Sequence, residues 1–298
     1  MVRLGFGDRF MVIFIHVFLT VLSFTALYPF WNALVVSFNT GIDTSMGGVT
    51  FWPRAFTLEN YEIVFNDSRL VNGFVISISR TIIGTASAIL MTAIIAYGMT
   101  KKDLIGRNQY MLFFIITMYF GGGLIPTFLL VRSLGLMNSF WVFIIPGLVS
   151  VWNMIIFRTF FKSLPNGLEE SAQIDGCSNW GIFFRIVFPL SGPVIATLAL
   201  FTAVSHWNDW FLPSIYITNE KLLPIQTMLR QILNANIVTD QVAQLDSASQ
   251  ARMESMRSIT SKSLTMATMM VVTMPIIMVY PFVQKYFVKG VLIGSLKE

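Results

Sequence analysis

Apolar residues run almost unbroken through six stretches of this chain, at about residues 10–30, 73–97, 110–130, 140–161, 194–211 and 264–282. Each approaches or exceeds the ~20 residues that a helix needs to cross a hydrocarbon core ~30 Å thick. Their length and continuous apolarity predict helices rather than strands, because a backbone in lipid must satisfy its hydrogen bonds within its own segment. The first stretch is too long for a signal-peptide core and lacks a small-residue cleavage site, so it reads as a retained span. No internal repeat, low-complexity tract or soluble domain interrupts the pattern. The expected fold is an all-α membrane protein of six transmembrane helices, with residues 1–298 forming a single domain.

Charge then orients the spans. With the N-terminus inside, the inner pieces hold Arg3, Arg9, Lys101, Lys102, Arg107, Arg158, Lys162, Arg185, Lys285, Lys289 and Lys297, and there bases outnumber acids. In the outer pieces the balance is reversed. Bases kept on the cytoplasmic side are the usual arrangement, so both termini are expected there, together with the loop at 164–193. Composition agrees: 55% of the 298 residues are apolar and 12% charged, with a mean hydropathy of +0.69. A soluble domain would carry about a quarter charged residues. A pI near 9.4 therefore reflects membrane topology, and no nucleic-acid partner is expected. The lone Cys177 excludes an intramolecular disulfide and fits no metal motif; it reads as a small apolar filler.

Residues 164–193, LPNGLEESAQIDGCSNWGIFFRIVFPLSGP, are polar and punctuated between two apolar spans. They predict two short helices around a glycine. Asn166 is placed to cap the first, with Glu169 in a capping-box relation, and Gly176 stands where a left-handed residue ends it. Ser178 is placed to cap the second. Its Trp180, Phe183, Phe184, Val187 and Phe188 fall on one apolar stripe. Pro189 should stop that helix, and Pro193 suits the first turn of the next. Helices that lie on lipid favour Lys and Arg on the polar face. Acids equal or exceed bases here, so the loop is expected to dock on another protein.

The same residues resemble the EAA loop of bacterial ABC importer permeases, in the form used by the maltose-type carbohydrate-uptake family. The matching positions are Glu170, Ser171 with Ala172, Asp175 with Gly176, and PLSGP at 189–193; Ser171 and Cys177 stand where alanine is usual. Further segments are similar to that family: FTLENYEIVF (56–65), AYGMTKKDLIGR (96–107), LGLMNSFW (134–141) and WNDWFLP (207–213). The tail from Tyr280 is close to a branch that handles complex or acidic oligosaccharides. The outer loop from Thr218 to about Lys262 is long for maltose-type members. The resemblance implies that the 164–193 loop is a coupling helix seated on a cytoplasmic ATPase. It also implies Glu170 as the charged contact, Asp175 as loop orienter, Gly176 as the turn, and the stripe from Trp180 as a lever to the bundle. Glu169 reads instead as a solvated capping residue.

The chain carries no Gly-Lys dipeptide and hence no phosphate-cradling loop. The resemblance therefore places ATP and magnesium on two partner ATPase subunits, with a second, different permease and an extracytoplasmic sugar-binding protein beside this chain in the bacterial cytoplasmic membrane. No cofactor, metal or enzymatic activity is expected of the chain itself. His16 and His206 read as packing residues. Candidate pathway residues are Arg80, Asn153, Trp207, Asn208 and Asp209. Arg80 lies ~15 Å into its span, where a cation needs a partner. Either an anionic sugar or a salt bridge or carbonyl contact in the bundle would serve, and no acid is counted at its depth, Asp209 lying nearer the outer end. Trp207 and Trp210 fit either sugar stacking or interfacial anchoring. Gly84 with Ala88 reads as a helix-packing face, and Gly121–Gly123 as a break in the third span. A neutral oligosaccharide is the alternative substrate. An ATP-independent secondary transporter is the rival class, although no inverted repeat is visible.

Overall fold

The computed structural model describes residues 6–243 and 262–295. Among the described residues the fold is helical throughout, and its one strand-like feature is an isolated antiparallel bridge between Asn39 and Phe56. The inner-side bases Arg3 and Lys297, and residues 244–261 of the long outer loop, lie outside the described residues.

The chain divides into two compact units, Met1–Ser68 with Leu229–Met274, and Arg69–Met228 with Pro275–Glu298. In the first, helix α1 (Phe6–Ser37) exposes Phe10, Phe14, Phe18 and Leu22 along its length. Such an all-round apolar helix belongs in lipid. Its end is fixed by hydrogen bonds within the same unit. The fully buried Asn39 donates to Asp43 at 2.8 Å and to Thr44 at 2.9 Å, both in the short helix α2 (Gly41–Ser45). From helix α3 (Glu59–Asn66), Asn60 donates to the carbonyls of Ser37 and Asn39, each at 3.0 Å. The bond from Asn39, aided by Arg54, holds the Asp43 carboxyl below its ordinary pKa.

The second unit is organised by helix α4 (Ser68–Gly98). Gly73, Ser77, Arg80, Gly84 and Ala88 recur at three- and four-residue spacing, and all are buried. Small residues on one face let helices approach closely, and van der Waals contact is what lipid-embedded helices have to gain. The expected Gly84–Ala88 packing face is thus part of a longer stripe. A methyl group on Gly84 would stand 2.6 Å from the His206 ring, and one on Gly73 would stand 2.7 Å from Met228 Sδ. Gly84→Val should therefore overpack this contact at a cost of about 1–3 kcal/mol. The expected outcome is a lowered melting temperature of the detergent-solubilised protein, with Gly98→Ala, where nothing lies within 4 Å, as the tolerated control.

The remaining spans are bent. Helices α5 (Arg107–Tyr119) and α6 (Leu124–Ser133) meet at 114° across Gly121–Gly123, so those glycines break the third span as expected. The fourth is not one helix over 140–161. Two 3-10 turns around Pro146 cover Phe140–Gly147, and α7 (Val151–Ser163) follows at 50°. Proline lacks the amide that would continue the helix. Helix α8 (Asn166–Ile174) precedes α9 (Asn179–Leu190), and α10 (Gly192–Asn208) leaves α9 at 80°. The fifth span therefore ends at Asn208 and not at Phe211, which instead begins α11 (Phe211–Tyr216). Helices α12 (Ile225–Ala243) and α13 (Lys262–Ser295) complete the chain, and α13 runs through both Pro275 and Pro281. Among the described residues three helices are long and apolar enough to cross a membrane, or up to six if each bent pair counts as one span.

Candidate functional site

The loop at 164–193 is built by local rules. Pro165, in extended conformation, precedes α8, and Asn166 is its first helical residue; no side chain caps this end. The expected Asn166 cap is thereby corrected, because proline's fixed backbone already sets the start. Helix α8 closes at Gly176, whose φ is +77°. The Gly176 amide donates to the Gln173 carbonyl at 3.0 Å and the Cys177 amide to the Ala172 carbonyl at 2.9 Å. This pair of bonds is the Schellman arrangement, which depends on a left-handed residue between them. Ser178 Oγ then accepts from the Gly181 amide at 3.2 Å and caps α9, as expected.

Two further expectations change. The stripe from Trp180 is not a single face, because residues Phe183–Val187 form a π turn. The wider turn shifts the helical register. Ile182, Phe183 and Val187 are buried, whereas Trp180 and Phe184 stay exposed and stack on one another at 6.2 Å. Glu169 is not a solvated capping residue either. Its Oε2 accepts from Lys101 Nζ at 2.5 Å, and the ammonium also sits 4.2 Å from the centre of the Tyr97 ring. Burial alone would lower the Lys101 pKa, but the bond to Glu169 and the neighbouring Tyr97 outweigh it and hold the group above the ordinary lysine value.

The outcome is a loop with two faces. Ala172 is buried, where only a small side chain lets α8 approach the bundle. Glu170, Ser171, Asp175, Gly176 and Trp180 are exposed, and so is Ile174, at 86%. Beneath them, α4, α7, α9 and α10 share a core that includes Ala93, Phe157, Ile182 and Leu198. The contribution of Lys101 and Tyr97 was missed from the sequence, where the KKDLIGR turn spoke only through its charge.

The candidate pathway residues gather around α10. Arg80 is 1% exposed. Its Nη2 donates to the carbonyls of His206 and, at 2.5 Å, Asp209, while Nη1 lies 3.7 Å from the Asp209 carboxylate. The guanidinium also faces the Phe143 ring at 5.3 Å. An acid does stand at the depth of Arg80, contrary to the count along the spans. The reason is that α10 stops at Asn208 and Asp209 turns back toward α4. The other Asp209 oxygen, Oδ1, accepts from the amides of Phe211 and Leu212, each at 3.1 Å, and so starts α11. Trp207 is buried with Phe74 at 6.4 Å. Asn208 accepts from Gln226 at 3.4 Å. Asn153 donates to Thr202 at 3.3 Å and joins α7 to α10.

Long apolar helices, bent pairs and a two-helix loop with an exposed polar face define a helical membrane protein. The chain belongs to the family of binding-protein-dependent transport system inner membrane components, whose pattern matches residues 88–293. It is 39% identical over 293 residues to the polygalacturonan/rhamnogalacturonan transport system permease protein YtcP of Bacillus subtilis, covering 97% of this chain and 99% of that one. It is 40% identical over 271 residues to Protein LplC of the same organism, covering 91% and 89%. Among solved structures, a bacterial ABC transporter involved in the import of the acidic polysaccharide alginate superposes with a TM-score of 0.85 at 27% identity, over 96% of this chain and 100% of that one. The resemblance drawn from the 164–193 loop is borne out. The chain is an inner-membrane ABC permease subunit, a transport component and not an enzyme, and its family works with a partner permease, an ATPase and a binding protein.

Proposed function

We propose that this chain is one permease of an ATP-driven importer that passes an acidic oligosaccharide, of polygalacturonate or alginate type, from an extracytoplasmic binding protein into the cytoplasm. The two named carbohydrate systems above carry this reading: both handle uronate polymers, and both match almost the whole chain. Six spans with both termini inside put the α8–α9 loop on the cytoplasmic face. There Glu170, Asp175, Gly176 and Trp180 meet one of two ATPases, which bind ATP and magnesium. Ser171 and Ala172 keep the approach close. A second, different permease completes the path through one domain of this chain and one of its partner, and Asn153, Trp207 and Asn208 border that path.

The test is reconstitution. Native mass spectrometry of the assembled transporter should find one copy of this chain, one of another permease and two ATPases. Two copies of this chain with no other permease would overturn that composition. In proteoliposomes with the binding protein, uptake of an oligogalacturonate should require ATP and exceed that of its carboxyl-reduced counterpart. Uptake without ATP would favour a secondary transporter, and equal uptake of both sugars would favour a neutral oligosaccharide.

A further inference from the structure

We propose that Lys101 and Glu169, with Tyr97 beneath the lysine, form the positioning contact through which α8 moves the inner end of α4. The inference rests on the reading of the α8–α9 loop as the ATPase contact and identifies how that loop is tied to the spans. Helix α9 is anchored by buried apolar side chains, Ile182, Phe183 and Val187. Helix α8, which carries Glu170, has far less: one buried residue, Ala172, and the bond that Glu169 accepts from Lys101.

Lys101 stands just beyond the end of α4 at Gly98 and is itself held. Arg158 of α7 donates to the Met99 carbonyl at 3.1 Å, and Arg107 donates to the Lys101 carbonyl at 3.4 Å. A groove of about 620 Å³ separates the turn after α4 from α9, lined by Tyr97, Lys101, Leu104, Ile105, Trp180 and Phe183. Behind the groove the rings of Tyr97 and Phe183 meet at 5.3 Å and join α4 to α9, whereas the polar tie between α8 and the turn is the ion pair. The side chains of the pair are 18% and 32% exposed. That partial shielding, with the aromatic face against the ammonium, lifts the contact above an ordinary surface ion pair. A push on α8 must then either carry the end of α4 with it or break this bond. About 30 Å along the same helix, at 1.5 Å per residue, Arg80 holds the end of α10.

The experiment uses the complete transporter in proteoliposomes, with a polygalacturonate hydrolysate as probe. The readout is the ratio of ATP hydrolysis with the loaded binding protein to that without it. Lys101→Glu and Glu169→Lys should each lower this ratio by about fivefold or more, the lower range of coupling between distinct sites. Lys101→Arg should keep most of it, and the double swap should recover most of the loss. Single reversals that behave like wild type, or a double swap no better than the singles, would overturn the inference. If a reversal blocks assembly, Lys101→Gln and Glu169→Gln replace it, and two losses that simply add would count against the contact. Glu170→Ala runs alongside. Full coupling in that variant would sink the reading of the loop itself, whereas its collapse beside normal Lys101 and Glu169 variants would sink only the present inference.

Discussion

Glu170→Ala should leave the importer assembled while ATP-driven uptake falls at least about tenfold, and Gly176→Val should do the same by another route. Glu169, the neighbouring acid, is bound to Lys101, whereas Glu170 faces outward. Glu170 is thus the α8 carboxylate placed to meet a partner. Truncating one member of a hydrogen-bonded charge pair at an interface costs about 2–5 kcal/mol, more than a tenfold change requires. Gly176 acts through the backbone. Its φ of +77° closes the Schellman turn, a conformation that costs an ordinary residue roughly 1–2 kcal/mol and a β-branched one more. Nothing lies within 4 Å of a methyl group built there, so no clash is involved. The order of damage should therefore be Val, then Ala, with Asn nearest to glycine because asparagine tolerates this region. Uptake and ATP hydrolysis measured together in proteoliposomes check both variants. Normal uptake by Glu170→Ala and Gly176→Val would remove the coupling assignment, and equal behaviour of Val and Asn would remove the backbone explanation.

What could be read from the sequence followed from signals confined to one segment. Continuous apolarity located the spans, because lipid forces each backbone to satisfy itself. Gly176 and Ser178 were legible because a left-handed turn and a hydroxyl cap are both decided by their immediate neighbours. The bend at Gly121–Gly123 was legible for the same reason. The misses are contacts between distant residues or departures from ideal helical period. Lys101 and Glu169 are 68 residues apart, and Arg80 and Asp209 are 129 apart. No pattern along one helix encodes such pairs. The stripe from Trp180 was drawn on a 3.6-residue period, which the π turn at Phe183–Val187 does not keep. Asp209 was placed by its distance along an assumed straight span, but the helix ends one residue before it.

That last error changes what is expected of Arg80. The sequence left open an anionic sugar or a contact within the bundle, and the geometry supplies the second. The guanidinium is 1% exposed and reaches the carbonyls of His206 and Asp209 at the end of α10. Those carbonyls belong to a helix terminus, where four acceptors have no partner within the helix. A cation there satisfies them and also opposes the negative end of the helix dipole. Arg80→Gln removes the charge and shortens the reach. Each lost hydrogen bond to a charged donor is worth about 1.5–3 kcal/mol, and Asp209 would lose its counter-ion as well. The expected result is a clearly lowered melting temperature, with residual transport of an oligogalacturonate and of its carboxyl-reduced counterpart falling in the same proportion. Asp209→Asn should be milder than Asp209→Ala, because asparagine keeps an oxygen for the amides of Phe211 and Leu212 that Oδ1 now serves. A stable Arg80→Gln protein that lost only the acidic sugar would return the arginine to the substrate path, and with it the carboxylate of the sugar as its natural partner.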